Sequence, residues 1–391
     1  MKIDVFAENG TDRAALGAAF DAWLGRHPSP PDFVALHKSV GCREAGLAPK
    51  LAQVRAMHGA TSCLGVMGRD GARIESGAGA FAIWDPAGDY GTALRPLGDD
   101  ARAAARAATE AALEGADRPG EVPDLIWLSA SPGREEAVLA GIADAVGGNV
   151  PVLGGSAADD DVSGRWLVYH HDTVETDGVV VSVLFPSTPV SFAYHNGYAP
   201  TERRGTVTAA EGRLLKEIDG RPAAEVYRDW TGHALIPDAV SETVPILSES
   251  TLAPLGRFLE SVGDVPYYLL AHPAGLTPEG HLELFSDVAA GDALTLMTGS
   301  PEGLTQRAGK VAALAAQDDG GAGRFAGGLV VYCGGCMLAV RDRLDDVASG
   351  IAAALPGLPF LGVFTFGEQG VVLDGRNRHG NLMISAVLFG A

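Results

Sequence analysis

The sequence predicts a mixed α/β fold of two α/β domains, each with a mixed β-sheet flanked by helices, and with a ligand cleft at the sheet edges or the domain interface. Strand-length apolar runs alternate with alanine- and leucine-rich segments at helical spacing along the 391 residues. Glycine-rich polar tips follow several strands, and both halves share this succession. The length allows two or three separate cores.

The first 160 residues alternate strands with helices. An opening strand leads into a helix over Thr11–Arg26, which Thr11 is expected to cap. The later strands have β-branched or alternating apolar patterns, and the helices are rich in alanine. The expected strands are Asp32–Lys38, Ala72–Trp84, Asp124–Ala130 and a strand with a glycine turn over Val150–Asp160; the expected helices are Pro49–Met57, Asp99–Gly115 and Pro132–Val146.

From Arg165 the pattern is mainly that of strands. A hairpin is expected from Arg165–Thr173 and Gly178–Leu184, joined through Asp177-Gly178. The poorly patterned stretch Thr231–Val262 is the expected junction of two domains, at residues 1–230 and 231–391. The other expected elements are strands at Ser191–Tyr198, Gly205–Ile218, Pro266–His272, His281–Ser286, Ala293–Thr298 and Asn381–Phe389, helices at Pro222–Trp230 and Thr305–Ala316, and a glycine-rich loop at Asp318–Gly328.

The most informative stretch runs from Val330 to Asn381. It contains a strand, a Cys-Gly-Gly-Cys turn, a helix over Asp342–Leu355 and a second strand, Phe360–Phe366. A strand–helix–strand unit of this length predicts a parallel pair, whose polar tips lie at one sheet edge. We expect a ligand at that edge.

Glu368 is the ionisable residue in the Gly-Glu-Gln-Gly tip that follows the second strand. Its glycine neighbours permit close backbone approach, so the carboxyl group can point into a pocket. The alternative is a turn with a solvated carboxylate.

Composition and charge exclude several classes of protein. Apolar residues make up 47% of the chain and charged residues 20%, which is typical of globular proteins. The net charge of -20 argues against binding to nucleic acid or to anionic membrane surfaces. No apolar run is long enough to span a bilayer, and the N-terminus lacks the features of a signal peptide. A cytoplasmic location is therefore expected.

Four cysteines, Cys42, Cys63, Cys333 and Cys336, leave three interpretations open. A disulfide framework is not expected in a large chain without a secretion signal. Cys-x-x-Cys is instead typical of a dithiol switch or of half a metal site, and small buried packing residues are the third interpretation. The acidic run Asp159–Asp161 is a cation candidate, but a solvated turn is favoured because adjacent carboxylates cannot all face one ion.

Several segments resemble the FIST family. The stretch Val330–Asn381 is similar to the C-terminal half of that family, with its Cys-containing strand end, Pro-Gly-x-Pro step and closing Gly-Glu. The other matching segments are Gly-Ala-Thr-Ser-Cys at 59–63, Val-Leu-Gly-Gly-Ser-Ala-Ala-Asp-Asp at 152–160, Thr-Val-Thr at 206–208 and Ile-Asp-Gly-Arg-Pro-Ala at 218–223. Residues 1–230 are therefore expected to be FIST N-like and residues 231–391 FIST C-like.

The resemblance implies a small-ligand sensory protein of bacterial signalling. The sequence contains no histidine-kinase, cyclase or DNA-binding segment, so it is expected to act through a separate partner, such as a histidine kinase or a cyclase. Family members have amino acids as proposed ligands. This chain has Gly335-Cys336 and Gly65-Val66 where the family often carries an arginine and a glutamate, so a zwitterion lacks its counter-ions. The expected ligand-binding residues are Thr61, Ser62, Cys63, Gly155, Ser156, Asp160, Cys333, Glu368 and Asn381.

Two alternatives remain beside the sensor of an unidentified ligand. One branch of the family binds haem and responds to nitric oxide, and haem would need an axial ligand from His170, His171 or His195. Cys333, Cys336, His170 and His195 are the weaker metal candidates. An enzyme with Cys63 or Ser62 as nucleophile and His58 nearby is less favoured, because no nucleophile elbow, phosphate loop or dinucleotide fingerprint is present.

Overall fold

The computed structural model describes residues 1–10, 12–42, 51–232, 235–262, 265–317 and 325–391. These residues form eight α-helices and 27 strands. The helices are α1 (Arg13–Leu24), α2 (Ala101–Gly115), α3 (Glu135–Val146), α4 (Ala223–Thr231), α5 (Leu247–Ser250), α6 (Pro301–Ala315), α7 (Gly334–Ala339) and α8 (Leu344–Ala354).

The strands in the first half of the chain are β1 (Lys2–Asn9), β2 (Phe33–Lys38), β3 (Ala56–Thr61), β4 (Val66–Gly68), β5 (Gly71–Arg73), β6 (Gly77–Trp84), β7 (Asp89–Pro96), β8 (Leu125–Ala130), β9 (Val152–Gly155), β10 (Val168–His170), β11 (Thr173–Glu175), β12 (Gly178–Phe185) and β13 (Val190–Asn196). The remaining strands are β14 (Ala199–Glu211), β15 (Leu214–Ile218), β16 (Arg221–Pro222), β17 (Val244–Pro245), β18 (Leu255–Val262), β19 (Val265–Ala271), β20 (Pro273–Leu276), β21 (Leu282–Leu284), β22 (Ala293–Thr298), β23 (Phe325–Cys333), β24 (Phe360–Thr365), β25 (Glu368–Val371), β26 (Asn377–Gly380) and β27 (Met383–Gly390).

Three six-stranded sheets repeat one strand order. Sheet 1 is β1-β6-β2-β3-β10-β11, sheet 2 is β7-β12-β8-β9-β25-β26, and sheet 3 is β13-β27-β23-β24-β4-β5. In each sheet the two strands at positions three and four are parallel, and the remaining pairs are antiparallel. The chain therefore contains three structural repeats, which we define as repeat 1 (residues 2–84), repeat 2 (89–185) and repeat 3 (190–390).

Each repeat contributes a hairpin to another repeat's sheet. The hairpin β4-β5 of repeat 1 extends sheet 3, β10-β11 of repeat 2 extends sheet 1, and β25-β26 of repeat 3 extends sheet 2. This exchange runs around all three repeats, so each sheet depends on a distant part of the chain. Sheets 2 and 3 consequently combine strands from both sides of residue 230, and the division there stays a prediction.

A fourth sheet is inserted into repeat 3 between β13 and α6. It has nine antiparallel strands, β14 to β22, and α4 and α5 lie within the same segment. We call residues 199–298 the inserted sheet. It has its own core, which includes the buried side chains of Leu215, Tyr227 and Leu255.

The inner faces of sheets 1, 2 and 3 share one core. Phe33 and Phe81 of sheet 1 pack in the same cluster as Trp127 of sheet 2 and Val331 of sheet 3, and all four are buried. Helices cover the outer faces: α1 packs on sheet 1, α2 and α3 on sheet 2, and α6 and α8 on sheet 3. Full burial of one such side chain contributes about 1.5–3 kcal/mol, so this shared core holds the three repeats together.

The fold class, mixed sheets flanked by helices, is confirmed, as is the parallel pair formed by β23 and β24. The expected hairpin of Arg165–Thr173 with Gly178–Leu184 is wrong. A tight turn with His171 at positive φ pairs β10 with β11, and β12 instead lies between β7 and β8.

Three further predictions have different outcomes. The expected helix Pro49–Met57 is wrong where the structure describes it, because a single 3-10 turn precedes β3. The Cys-Gly-Gly-Cys turn is the first turn of α7. Thr11 and most of the loop Asp318–Gly328 lie outside the described residues, and Asp12 accepts the capping hydrogen bonds of α1.

No described helix has the length and apolar character to cross a membrane.

Candidate functional site

The third strands of the three repeats, β3, β9 and β24, end at the same place. The segments that follow them are joined by backbone hydrogen bonds into a closed ring, which we call the strand-end junction (residues 61–63, 155–158 and 364–367). Its bonds run from Cys63 N–H to the Phe364 carbonyl (3.0 Å), from Phe366 N–H to the Ser156 carbonyl (3.1 Å), from Ser156 N–H to the Gly367 carbonyl (2.8 Å) and from Ala158 N–H to the Thr61 carbonyl (3.0 Å).

The hydroxyl groups expected to bind ligand from the first strand end bond to the protein instead. Ser62 Oγ donates to the Gly65 carbonyl at 2.5 Å and accepts the Phe364 N–H at 2.8 Å. Thr61 Oγ1 accepts the Leu167 N–H at 2.9 Å. Both side chains are buried, so they stabilise the junction and offer no free group to a ligand.

Three more of the expected ligand-binding residues have structural roles at or beside the strand-end junction: Gly155, Cys63 and Asp160. A Cβ atom at Gly155 would lie 2.4 Å from the Thr365 side chain, so β9 and β24 approach this closely because of the glycine. The Cys63 thiol is buried, and burial raises its pKa, which makes it a poor nucleophile. Asp160 Oδ1 accepts the Leu64 N–H at 2.6 Å, and burial raises the pKa of this carboxyl group as well.

A cavity of about 30 Å³ lies beside the strand-end junction, on the side of the inserted sheet. This volume holds about two water molecules. Repeat 3 lines it with Cys333, Thr365 and Asn381 and with the glycines at 335 and 367, while the inserted sheet supplies Leu247, His272 and Phe285. The exposed side chains of Val162 of repeat 2 and Leu338 of repeat 3 also line the cavity, as does Phe366, so the cavity opens to solvent and its wall has three parts that are distant in the chain.

Glu368 lies behind this cavity, fully buried at the start of β25. Its Oε1 accepts the Thr365 hydroxyl at 2.8 Å and the Gly367 N–H at 3.3 Å, and its Oε2 accepts the Met383 N–H at 3.0 Å. These donors favour the charged form. Burial outweighs them, and together with the neighbouring Cys333 thiol it raises the pKa of Glu368 well above its ordinary value. The alternative of a solvated carboxylate is excluded.

The two ionisable groups that line the cavity, Cys333 and His272, are uncharged as well. Burial raises the pKa of the Cys333 thiol, which also hydrogen-bonds to Cys336. Burial lowers the pKa of His272 to about 4, and its Nε2 lies 2.9 Å from the Leu247 carbonyl. No lysine or arginine is among the described residues that line the cavity. The cavity thus offers hydrogen-bonding groups without net charge.

Asn381 links repeat 3 to the inserted sheet at the cavity. Its backbone N–H donates to the Leu270 carbonyl at 3.0 Å, and its Oδ1 accepts the His272 N–H at 3.2 Å. Its Nδ2 donates to the Phe285 carbonyl at 3.4 Å. One buried side chain therefore holds two cavity-lining residues of the inserted sheet.

A second link between the inserted sheet and the junction passes through Glu135, which sequence reasoning did not identify. Arg213 of the inserted sheet donates to Glu135 at 2.5 Å and to Glu136 at 2.8 Å. The other oxygen of Glu135 accepts the Ser156 hydroxyl at 2.6 Å. Burial tends to raise the pKa of Glu135, but the charges of His379 and Arg213 outweigh it and leave it lowered. No local sequence signal connects these residues, because each comes from a different segment.

The weaker metal candidates do not form a cluster. No group of three or more His, Cys, Asp or Glu side chains in the described ranges is arranged to hold a metal ion. His170 Nδ1 lies 2.8 Å from the Met57 carbonyl on sheet 1, whereas His195 lies on β13. Asp159 is buried and accepts the Arg165 N–H at 2.7 Å, and Asp161 pairs with the Arg165 guanidinium, so the acidic turn is closed by its own contacts.

Two family comparisons cover most of the chain. Residues 33–221 match the FIST N domain and residues 223–371 match the FIST C domain. The chain belongs to the FIST family. These matches confirm the resemblance that the sequence analysis described. FIST domains are small-ligand sensory domains of signal transduction.

Individual relatives say less about this FIST protein. An uncharacterized protein of Methanocaldococcus jannaschii is 29% identical over 130 residues, which cover 32% of this chain and 22% of the relative. A cyanuric acid hydrolase superposes over 100% of this chain and 99% of its own, with a TM-score of 0.35 and 10% identity. The cyanuric acid hydrolase from A. caulinodans covers 99% and 98%, with a TM-score of 0.36 and 9% identity.

Proposed function

We propose that this FIST protein is a sensor that binds a small uncharged ligand in the cavity between the strand-end junction and the inserted sheet. The observation that carries the proposal is a small, largely apolar cavity with a few polar groups, in which the ionisable side chains of the wall, His272 and Cys333, are held neutral. A charged ligand would lose its hydration there without meeting an opposite charge. This disfavours free amino acids, whose two charges would both be unpaired.

The same geometry suggests how ligand binding could change the conformation of the protein. The ligand would touch residues of repeat 3 and of the inserted sheet at once. Asn381 joins these two parts, and the Arg213–Glu135 ion pair joins the inserted sheet to repeat 2. A ligand that fits better when the inserted sheet is drawn closer shifts the population toward that arrangement. We propose that a separate protein, such as a histidine kinase or a cyclase, reads this change.

A thermal-shift screen with a matched pair of glycine variants tests the cavity. In Gly335→Ala the new Cβ lies 3.0 Å from Leu382 and 3.7 Å from the Cys333 sulfur, so it narrows the cavity. Gly350→Ala, on α8, places its Cβ in open space and is the control. A small neutral compound at about 100 times its Kd would stabilise the wild type and the control by about 2.7 kcal/mol.

The expected result is a shift with small amides or alcohols that Gly335→Ala lacks and Gly350→Ala retains. A shift that survives in Gly335→Ala, or a response confined to charged amino acids, would reject the cavity as the sensory site. The haem alternative is checked on the same sample, because haem binding gives a Soret band that should be lost in His170→Ala, His171→Ala or His195→Ala. Cross-linking in cell extract with and without the compound identifies the output partner.

A further inference from the structure

A second concave surface, separate from the cavity, lies between α6 and the connection from β13 to β14. Its volume is about 410 Å³, and its lining includes His195, Tyr198, Ser300, Arg307 and Lys310. Arg307 and Lys310 both come from α6, one turn apart. The surface therefore carries two cationic side chains side by side.

These two cations lack the partners that most cations of this chain have. Neither Arg307 nor Lys310 forms an ion pair with any described carboxylate, although the chain has 49 acidic and 29 basic residues. The Arg307 Nε is buried and has no hydrogen-bond partner within the part of the chain that the structure describes. The Arg307 side chain is half-buried, and burial lowers the pKa of its guanidinium. An anion bound in this concavity would supply the counter-ion that this guanidinium lacks.

His195 supplies a third donor to this surface. Its Nδ1 lies 2.9 Å from the Asn196 N–H and 3.2 Å from the Asn196 carbonyl, and the shorter contact makes Nδ1 the acceptor. The proton of the neutral ring is then on Nε2. Burial and the nearby Arg307 charge lower the pKa of His195 to about 4, so the ring is neutral at physiological pH. Arginine, lysine and this imidazole are all donors that suit an oxyanion.

An apolar concavity of about 430 Å³ continues from the cationic one and shares His195 with it. Its lining includes Phe192, Tyr267, Leu314 and Leu373, and the two leucines are 43% and 58% exposed. Arg307, Lys310 and Leu314 recur at helical spacing and so lie along one face of α6. We call the two concavities together the α6 groove.

We propose that the α6 groove binds a small organic anion, a monocarboxylate with an apolar chain. The carboxylate would lie against Arg307 and Lys310, and the chain would cover Leu314 and Leu373. Neither concavity has an acidic side chain in its described lining, so a ligand that also carries an ammonium group would gain no partner for it. The site is distinct from the neutral cavity in both place and chemistry.

Isothermal titration calorimetry at constant ionic strength tests the proposal with three probes. Octanoate has both the carboxylate and the chain, octylamine has the chain with the opposite charge, and acetate has the carboxylate alone. We expect octanoate to bind with a stoichiometry near one and to bind more tightly than either of the other probes. Equal binding of octylamine would overturn the proposal, because it would leave no role for the cations.

Variants separate the groove from other surfaces. Arg307→Gln should weaken octanoate binding by about tenfold or more, since it removes a charge-assisted hydrogen bond. If Arg307→Gln misfolds, the octanoate affinity of Lys310→Gln tests the same groove, because Lys310 is exposed and its replacement should not affect folding. Arg69→Gln is the control, because Arg69 is exposed and bonds to backbone carbonyls without a carboxylate partner.

Octanoate affinity unchanged in both Arg307→Gln and Lys310→Gln, or lowered equally in Arg69→Gln, would refute the groove as the binding site. So would the absence of any heat of binding with the wild type at millimolar octanoate. Gly335→Ala should bind octanoate as the wild type does, so failure of this proposal leaves the neutral cavity untouched.

Discussion

Two clusters of buried polar side chains among the described residues differ in whether they border the cavity beside the strand-end junction. The closed cluster consists of His37, His58, Thr92, Ser129 and Ser182, between sheets 1 and 2. The cavity cluster consists of His272, Cys333, Thr365, Glu368 and Asn381. Both contain a histidine whose pKa burial lowers.

In the closed cluster the hydrogen bonds are mainly between side chains, and His37 Nε2 is left without a partner among the described residues. His58 lies 2.9 Å from the Ser182 hydroxyl and 3.0 Å from that of Ser129, and Ser182 also bonds to Thr92 at 2.8 Å. The cavity cluster bonds mostly to backbone groups of two separate parts of the chain and leaves a cavity between them. Buried polar groups and shifted pKa values therefore mark both structural and ligand-binding positions, and the free volume distinguishes the two.

The largest expected difference concerns the two histidines. His58→Leu should lower the free energy of unfolding by about 2–3 kcal/mol, because it leaves the Ser129 hydroxyl buried without a partner. His272→Leu should cost less, about 1 kcal/mol, because the Leu247 carbonyl keeps its hydrogen bond from the Thr251 hydroxyl at 2.7 Å and the cavity can also hydrate it. Urea denaturation of both variants measures this. If His272→Leu proved the more costly, the cavity would be too tight to admit water.

The second difference concerns pH. His37 and His58 have folded pKa values below the unfolded value, about 3 for His37, so their stabilising contribution is full above about pH 6.5 and is lost as the pH falls. Glu368 has a raised folded pKa, so its contribution is full below about pH 4.5 and is lost as the pH rises. Relative to the wild type, Glu368→Gln should therefore gain stability as the pH rises above about 5.

The measurement is a series of urea unfolding curves at several pH values. A constant offset at low pH is expected in Glu368→Gln, about 1 kcal/mol, because the amide nitrogen cannot accept the Met383 N–H or one of the Oε1 donors. The test is the pH dependence of the difference in unfolding free energy between Glu368→Gln and the wild type. Parallel wild-type and Glu368→Gln profiles above about pH 5 would mean that Glu368 is charged in the folded protein.

The smallest expected effect comes from single hydroxyl groups. Thr365→Val keeps the side-chain shape and removes one donor to Glu368, which should cost about 1 kcal/mol and weaken binding of any compound found in the thermal-shift screen. Ser182→Ala in the closed cluster should destabilise by a similar amount and leave that binding unchanged. Equal loss of binding in both variants would show that the effect is one of general stability.

Part of this arrangement was predictable from local sequence. The strand–helix–strand unit around Cys333 predicted the parallel pair β23–β24 and the placement of Cys333 and Glu368 at one sheet end, because such connections have one dominant geometry. The same logic placed Ser62 and Ser156 at strand ends. The Ser62 hydroxyl also bonds to the nearby Gly65 carbonyl. Its bond from Phe364 and the bond of Ser156 to Glu135 could not be predicted, because Phe364 belongs to another repeat and Glu135 lies on a helix in another layer.

The sequence by itself determined the local elements, the mixed α/β class and the FIST family, because apolar periodicity and glycine-rich strand ends act over a few residues. Only the tertiary structure decided the exchange of hairpins among three repeats and the position of the inserted sheet over the strand-end junction. Strand pairs such as Gly155 with Glu368 join residues far apart in the chain, and a strand's pattern does not specify which distant strand it pairs with. The cavity and the α6 groove both depend on such long-range pairings, because segments distant in the chain form each of them.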